Sequence, residues 1–167
     1  MKNAAAVLAI VAWTLTGVHG QLHLDVEAEE LLDRFFPDAA DFSERQGNPP
    51  HFKALDANGE LIGFGYWTTD VDLLERGFDG PIKMFVAMDT DLILRGIMVT
   101  EHREPFGDFS VDLPAFAAQF EGKDVRDPFR YGGDIDAIAR ATISITSASR
   151  AVRNSSRRIA RALLAPQ

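Results

Sequence analysis

Cysteine is absent from the 167 residues. The chain therefore has no disulfide framework and must be held together by its core. It also offers no thiolate for zinc, for an iron–sulfur cluster or for c-type haem attachment. Any redox role needs a cofactor of another kind. Positive charge is in short supply as well: 17 Lys and Arg stand against 25 Asp and Glu, a net charge of -8. That balance argues against a nucleic-acid binder, which needs a basic surface to meet phosphates. Beyond the N-terminus no apolar run is long enough to span a membrane. Internal repeats and low-complexity segments are missing too. Gly63-Phe64-Gly65 lacks the third glycine and the following helix of a dinucleotide fingerprint, so it marks a strand bend or a close backbone approach. Asp89-Thr90-Asp91 lacks the central glycine and closing glutamate of a calcium loop. Glu101, His102 and Glu104 make a poor metal set, and His23 and His51 add no ligand spacing, so no metal site is expected.

What is present starts with a targeting pattern. Lys2 is followed by a nearly unbroken apolar stretch from Ala4 to Val18, and Val18-His19-Gly20 supplies small residues for cleavage before Gln21. This is the pattern of a secretory signal peptide over 1–20. The expected mature chain, 21–167, is exported, carries no transmembrane span, and is long enough for one domain with a sizeable core.

Leu24 to Phe36 has helical spacing of apolar residues, and Pro37 stops it. A hairpin follows, with strands over His51–Leu55 and Leu61–Thr68 around Asp56-Ala57-Asn58-Gly59. Asp70 to Arg76 is a short helical or irregular link, and Gly77 to Pro81 a loop. Ile82–Met88 and Leu92–Thr100 read as strands, and Leu113–Phe120 as a short helix with Asp112 as its cap. Asp124 to Asp136 is a loop, and a last helix is expected from about Thr146 to Leu164. The fold class is α+β, an antiparallel sheet flanked by helices in a single domain.

Three constellations carry chemistry. Asp136 to Ser144 brings a threonine, Thr142, to the segment between a Gly- and Asp-rich loop and a helix start, where free backbone N–H groups suit a bound phosphate. Ala141 to Ile145 also fits a plain edge strand, because Thr142, Ser144 and Thr146 alternate with Ile143 and Ile145. Glu101 to Gly107 leaves a strand end with a Pro- and Gly-bearing turn that can press on a flat ring system, or simply be a charged surface turn. The last helix carries Arg150, Arg153, Arg157, Arg158 and Arg161 opposite an apolar stripe of Ala148, Val152, Ile159 and Leu163. Its basic face either projects into water or docks on an acidic partner or membrane; the first is expected. The Asn154-Ser155-Ser156 sequon falls within this helix and is set aside as a glycosylation site.

Five segments in order then resemble the FMN-binding domain family. Phe36 to Asp41 resembles its opening, Asp56 to Thr69 its hairpin, and Gly77 to Ile82 its glycine-containing loop. His102-Arg103-Glu104-Pro105 resembles its His-x-Glu-Pro turn, and Asp136 to Ser144 its flavin acceptor. The family's usual acceptor is Asp, two variable residues, Ser or Thr, Gly, Ala, Thr. Here Ala139 and Arg140 stand where Ser and Gly are commoner. The Arg-Ala-Thr form is similar to that of the exported flavin domain of NosR/NirI-type proteins, whose transmembrane and iron–sulfur parts this chain lacks.

The resemblance implies one FMN, esterified through its phosphate to Thr142 by a separate flavin transferase. It implies that Asp136 helps the transferase recognise the site or shapes the loop, that Ala141 and Ser144 belong to the cofactor site, and that Gly80, Glu104 and Pro105 line the isoalloxazine. It implies a periplasmic electron carrier between membrane or periplasmic redox partners, with no stand-alone catalytic residues. Two other functions fit the residues: a flavin-dependent reductase of a small substrate, and a non-redox binding or assembly module.

Overall fold

Five strands pair antiparallel in the simplest order, β1-β2-β3-β4-β5, so each strand lies beside its neighbour in sequence. The fold comes from a computed structural model that describes residues 26–138 and 140–164. The expected signal peptide, Leu24 and Ala139 lie outside the described residues. The elements are α1 (Val26–Phe35), β1 (Asp41–Phe42), β2 (Phe52–Leu55), β3 (Leu61–Trp67), α2 (Thr68–Val71), β4 (Lys83–Asp89) and β5 (Leu94–Glu101). A 3-10 turn at Gly107–Phe109 leads to α3 (Pro114–Ala118) and α4 (Thr142–Leu163). The α+β class and the antiparallel sheet are as expected. Among the described residues no helix is long and apolar enough to cross a membrane.

The β2–β3 hairpin is closed by local chemistry. The Asp56 carboxylate accepts the amides of Asn58 and Glu60, both at 2.8 Å. Gly59 takes φ 78°, a left-handed value that costs glycine nothing. The Glu60 amide, with that of Asn58, holds the Asp56 carboxyl below its usual range.

Strand alternation sends side chains to two cores. Met84, Val86 and Met88 of β4 join Phe64, Tyr66 and Ile97 on one face, where α4 adds Ile145, Ala148, Val152 and Ile159. Phe85 and Ala87 point the other way, with Phe52, Trp67, Leu32 and Phe36. The helix α1 covers that second face because Gly63 and Gly65 leave room for it. A Cβ on Gly63 would stand 2.4 Å from the Phe36 ring, and one on Gly65 would stand 2.5 Å from Phe85 and 2.7 Å from Leu32. Close backbone approach, expected from the sequence, is the reason for both glycines. Fully burying an aromatic or leucine side chain here stabilises by about 1.5–3 kcal/mol.

The long helix α4 differs from expectation in two ways. It begins at Thr142, four residues earlier than the predicted Thr146, so Thr142 stands in a first helical turn and not on a loop or edge strand. Its arginines also do more than face water. Arg157 donates to the carbonyls of Val125 at 3.0 Å and Asp127 at 2.8 Å. Arg153 reaches the Pro128 carbonyl at 3.4 Å and Arg158 that of Val71 at 2.9 Å. These contacts staple loops to the helix. The buried hydroxyls of Ser149, Ser155 and Ser156 turn back onto carbonyls four residues earlier, at 2.6–2.7 Å. Tyr66 donates to Ser156 at 2.7 Å, and its burial pushes its hydroxyl pKa up.

The predicted cap of α3 is also corrected. Leu113 occupies the N-cap with no side-chain bond, and Pro114 opens the helix. Asp112 is drawn away instead, to His102 Nε2 at 2.8 Å.

Candidate functional site

The two halves of the site are joined by one buried carboxylate. Glu104, 7% exposed, leaves the end of β5 and turns inward. Its oxygens accept the amides of Phe78 at 3.0 Å and Asp79 at 3.1 Å. The Ser144 hydroxyl donates to the same carboxylate. The loop 77–80 and the first turn of α4 are thereby fixed to one side chain. Gly77 is required there, since a Cβ would stand 2.3 Å from Glu104 Oε1. The turn itself is held by His102. Its Nδ1 accepts the Glu104 amide at 3.0 Å, so in the neutral ring the proton sits on Nε2 and is donated to Asp112. His102 and Glu104 are thus committed to structure. Among the described residues no three metal-ligating side chains of His, Asp or Glu stand together.

The result is a cleft of about 260 Å³ lined by Phe78, Pro105, Phe106, Arg140, Ala141, Thr142, Ile143 and Ser144. Phe78 is 67% exposed, Phe106 53% and Ile143 56%. Apolar side chains clustered and left this open mark a binding surface. At its rim the exposed Thr142 hydroxyl donates to Tyr131 Oη at 3.1 Å, keeping its lone pairs available. The helix behind is 22 residues long, and its N-cap is Ala141, which offers no capping atom. No acid stands in its first turn, and the first ladder bond is from the Ile145 amide to the Ala141 carbonyl at 2.9 Å. The amides of Thr142, Ile143 and Ser144 precede that bond, so this end presents positive partial charge suited to a phosphate.

Arg140 has φ 68°, a left-handed value uncommon outside glycine. This accounts for the glycine that is commoner at its place in the acceptor pattern: the chain must turn sharply there before α4 begins.

Residues 77–157 match the family described as FMN-binding domain. Over that stretch the chain is similar to this family. Every residue lining the cleft lies within the matched stretch. No curated protein matches the chain. Among solved structures it is similar to the crystal structure of Shewanella oneidensis NqrC, at 22% identity, with a TM-score of 0.45 over 72% of this chain. The match spans 65% of the length of that protein.

FMN is the cofactor of this family, and the residues present fit it. Flat apolar walls suit a tricyclic ring, and the uncapped helix start suits the phosphate. Thr142, Ala141, Ser144 and Pro105, all within the matched stretch, border the cleft. Glu104 lies behind it as the tie between its walls. Gly80 is buried against Arg103, whose Nη2 would stand 3.0 Å from a Cβ there, and is not part of the lining. Asp136 is exposed and meets its surroundings through its amide, which donates to Gln119 Oε1 at 2.6 Å. Sequence reasoning missed Phe78, Phe106, Ile143 and Tyr131 as site residues. The first two sit inside the loop 77–81 and the turn 101–107, so exposure alone distinguishes them. Nothing in the sequence singles out Tyr131.

Proposed function

We propose that the chain is an exported flavoprotein that carries FMN on Thr142, joined through the flavin phosphate, and passes electrons in the periplasm. The observation that carries this reading is the Thr142 hydroxyl. It is exposed, oriented by Tyr131, and placed on the rim of an apolar cleft at an uncapped helix start. When bound, FMN supplies redox chemistry that the side chains here lack. Phe78, Phe106 and Ile143 exclude water from one edge of the cleft, and Pro105 stiffens its floor. The amides of α4 and the Arg140 guanidinium at the rim favour a phosphodiester. Tyr131 fixes the rotamer of Thr142 so that its oxygen faces an incoming flavin transferase. A tether keeps the cofactor from being lost outside the cytoplasm.

Intact mass of the protein from a host co-expressing a flavin transferase is the test, beside Thr142→Ala. A gain of roughly 438 Da, with colour that survives denaturation and is lost in the variant, supports the reading. No gain, with colour released on denaturation, replaces the covalent link by reversible binding. A colourless protein removes the flavoprotein reading.

A further inference from the structure

A second cleft lies along α4, on the far side of Thr142. It holds about 510 Å³ and is lined by Arg130, Tyr131, Thr146, Arg150, Arg153 and Arg157, with no acid in its wall. Tyr131 belongs to both places: it lines this groove and accepts the Thr142 hydroxyl at 3.1 Å. The helix sets the alignment. At 100° per residue Thr142, Thr146, Arg150, Arg153 and Arg157 fall within about 80° of one another, a single stripe about 22 Å long.

The charge in this groove is poorly compensated. Elsewhere arginines meet carboxylates: Arg95 pairs with Asp38, Arg126 with Asp124, and Arg45 with Asp70 at 2.5 Å. In the groove, Arg153 and Arg157 are held by neutral backbone carbonyls, which fix them in place and leave their charge intact. Arg150 has only a long contact with Glu75, at 4.0 Å. Arg130 is exposed on a loop that Asp134 tightens by accepting the amides of Phe129 at 3.0 Å and Arg130 at 2.6 Å. The sequence has no acid after Asp136. An overall charge of -8 thus coexists with a fixed positive groove that ends at the flavin acceptor.

We propose that this groove docks the acidic face of the protein's redox partner, seating its carboxylates on Arg130, Arg150, Arg153 and Arg157 within reach of the cofactor. This rests on the electron-transfer reading above. Charge complementarity of this kind acts mainly on encounter rate and is screened by salt. Arg153 and Arg157 supply fixed charge, while the exposed Arg130 and Arg150 can meet planar carboxylates in fork geometry, which lysines cannot.

Two measurements test it, using Arg130→Gln/Arg150→Gln and, as a control of charge on the α1 side of the sheet, Arg34→Gln. The first follows anisotropy of a fluorescein-labelled oligoglutamate with the unloaded protein. The double variant is expected to weaken binding about tenfold and the control to leave it unchanged. Equal affinities for wild type and double variant, or no binding by wild type, overturn the proposal. The second follows reoxidation of the reduced, FMN-loaded protein. Two ferricyanide ions are reduced per flavin reoxidised, and the protons go to solvent. Wild type is expected to react about tenfold faster than the double variant at low salt, with the gap closed at about 0.5 M salt, and the order reversed for cationic tris(phenanthroline)cobalt(III). Rates blind to the sign of the oxidant overturn the groove while leaving the flavoprotein standing. Oligoglutamate binding by a chain that takes up no flavin keeps the acidic ligand and removes its redox role.

Discussion

Replacing Glu104 should loosen both walls of the cleft at once. The carboxylate accepts three hydrogen bonds, from Phe78, Asp79 and Ser144, and is 7% exposed. A hydrogen bond to a charged group contributes about 1.5–3 kcal/mol, so the gross interaction of the three is roughly 4.5–9 kcal/mol. Much of this is recovered in Glu104→Ala, because Phe78 and Asp79 are exposed and their amides can turn to water. The buried Ser144 hydroxyl and the vacated space are not so easily compensated. A net loss of about 3 kcal/mol follows, which for a domain of this size lowers Tm by roughly 6–12 °C. Glu104→Gln keeps one good acceptor but aims an amide N–H at a backbone N–H, and should lose about half as much. Ser144→Ala removes a single bond to the carboxylate, at about 1.5–3 kcal/mol, and its effect should largely vanish in the Glu104→Ala background. Differential scanning calorimetry of the four proteins reads all of this, and flavin loading should fall in parallel with Tm. A Glu104→Ala protein melting within about 1 °C of wild type would refute the clamp.

Gly65→Ala drives a methyl into Phe85 and Leu32 and should cost about 1–3 kcal/mol by urea unfolding. Tyr66→Phe removes the bond to Ser156, which still donates to the Val152 carbonyl, so about 0.5–1.5 kcal/mol should be lost. Arg140→Gly relieves a left-handed arginine but frees the unfolded chain; the two terms leave a gain of about 0–1 kcal/mol in the unfolding free energy measured in urea. Acid should open the loop around Arg130. Burial disfavours the Asp134 charge, but the Arg130 and Phe129 amides and Lys123 more than offset it, and the folded carboxyl sits below its usual value of 3.8. The folded state therefore holds fewer protons than the unfolded state as pH falls past that value. Stability from this group is full above about pH 5 and is lost below pH 4, and Asp134→Asn should flatten that part of a Tm-against-pH profile.

What the sequence revealed depended on how local the cause was. The hairpin was legible because Asp56 closes its own turn within four residues. The glycines of β3 announced a close approach, though not that Phe36 and Leu32 would fill it. The start of α4 was misplaced because Thr142 to Thr146 alternates like a strand. Tertiary packing settles it as helix: Ile145 enters the core and Ser144 meets a carboxylate forty residues away. The two-residue β1 is too short to carry a pattern and exists through its pairing with Ala54 and Leu55. Thr142 itself was found from a motif, while the walls around it come from Phe78 and Phe106, side chains whose importance lies in their being left uncovered. The arginine stripe was visible, but its carbonyl partners at 125–128 were not, since nothing in the chain foretells that contact.

The cleft draws on residues 78, 105–106 and 140–144, segments brought together only by the completed sheet. No fragment of the unfolded chain possesses it. A ligand that occupies it therefore binds the native ensemble alone and displaces the folding equilibrium by mass action, about 1.4 kcal/mol for each tenfold excess over its Kd. A freely exchanging cofactor gives a melting temperature that slides down with dilution. A cofactor anchored at the rim is present at a fixed effective concentration of order millimolar or above, so its contribution is independent of how dilute the protein becomes. Whether Tm depends on flavin concentration thus itself tells whether the flavin is joined to Thr142 or held reversibly.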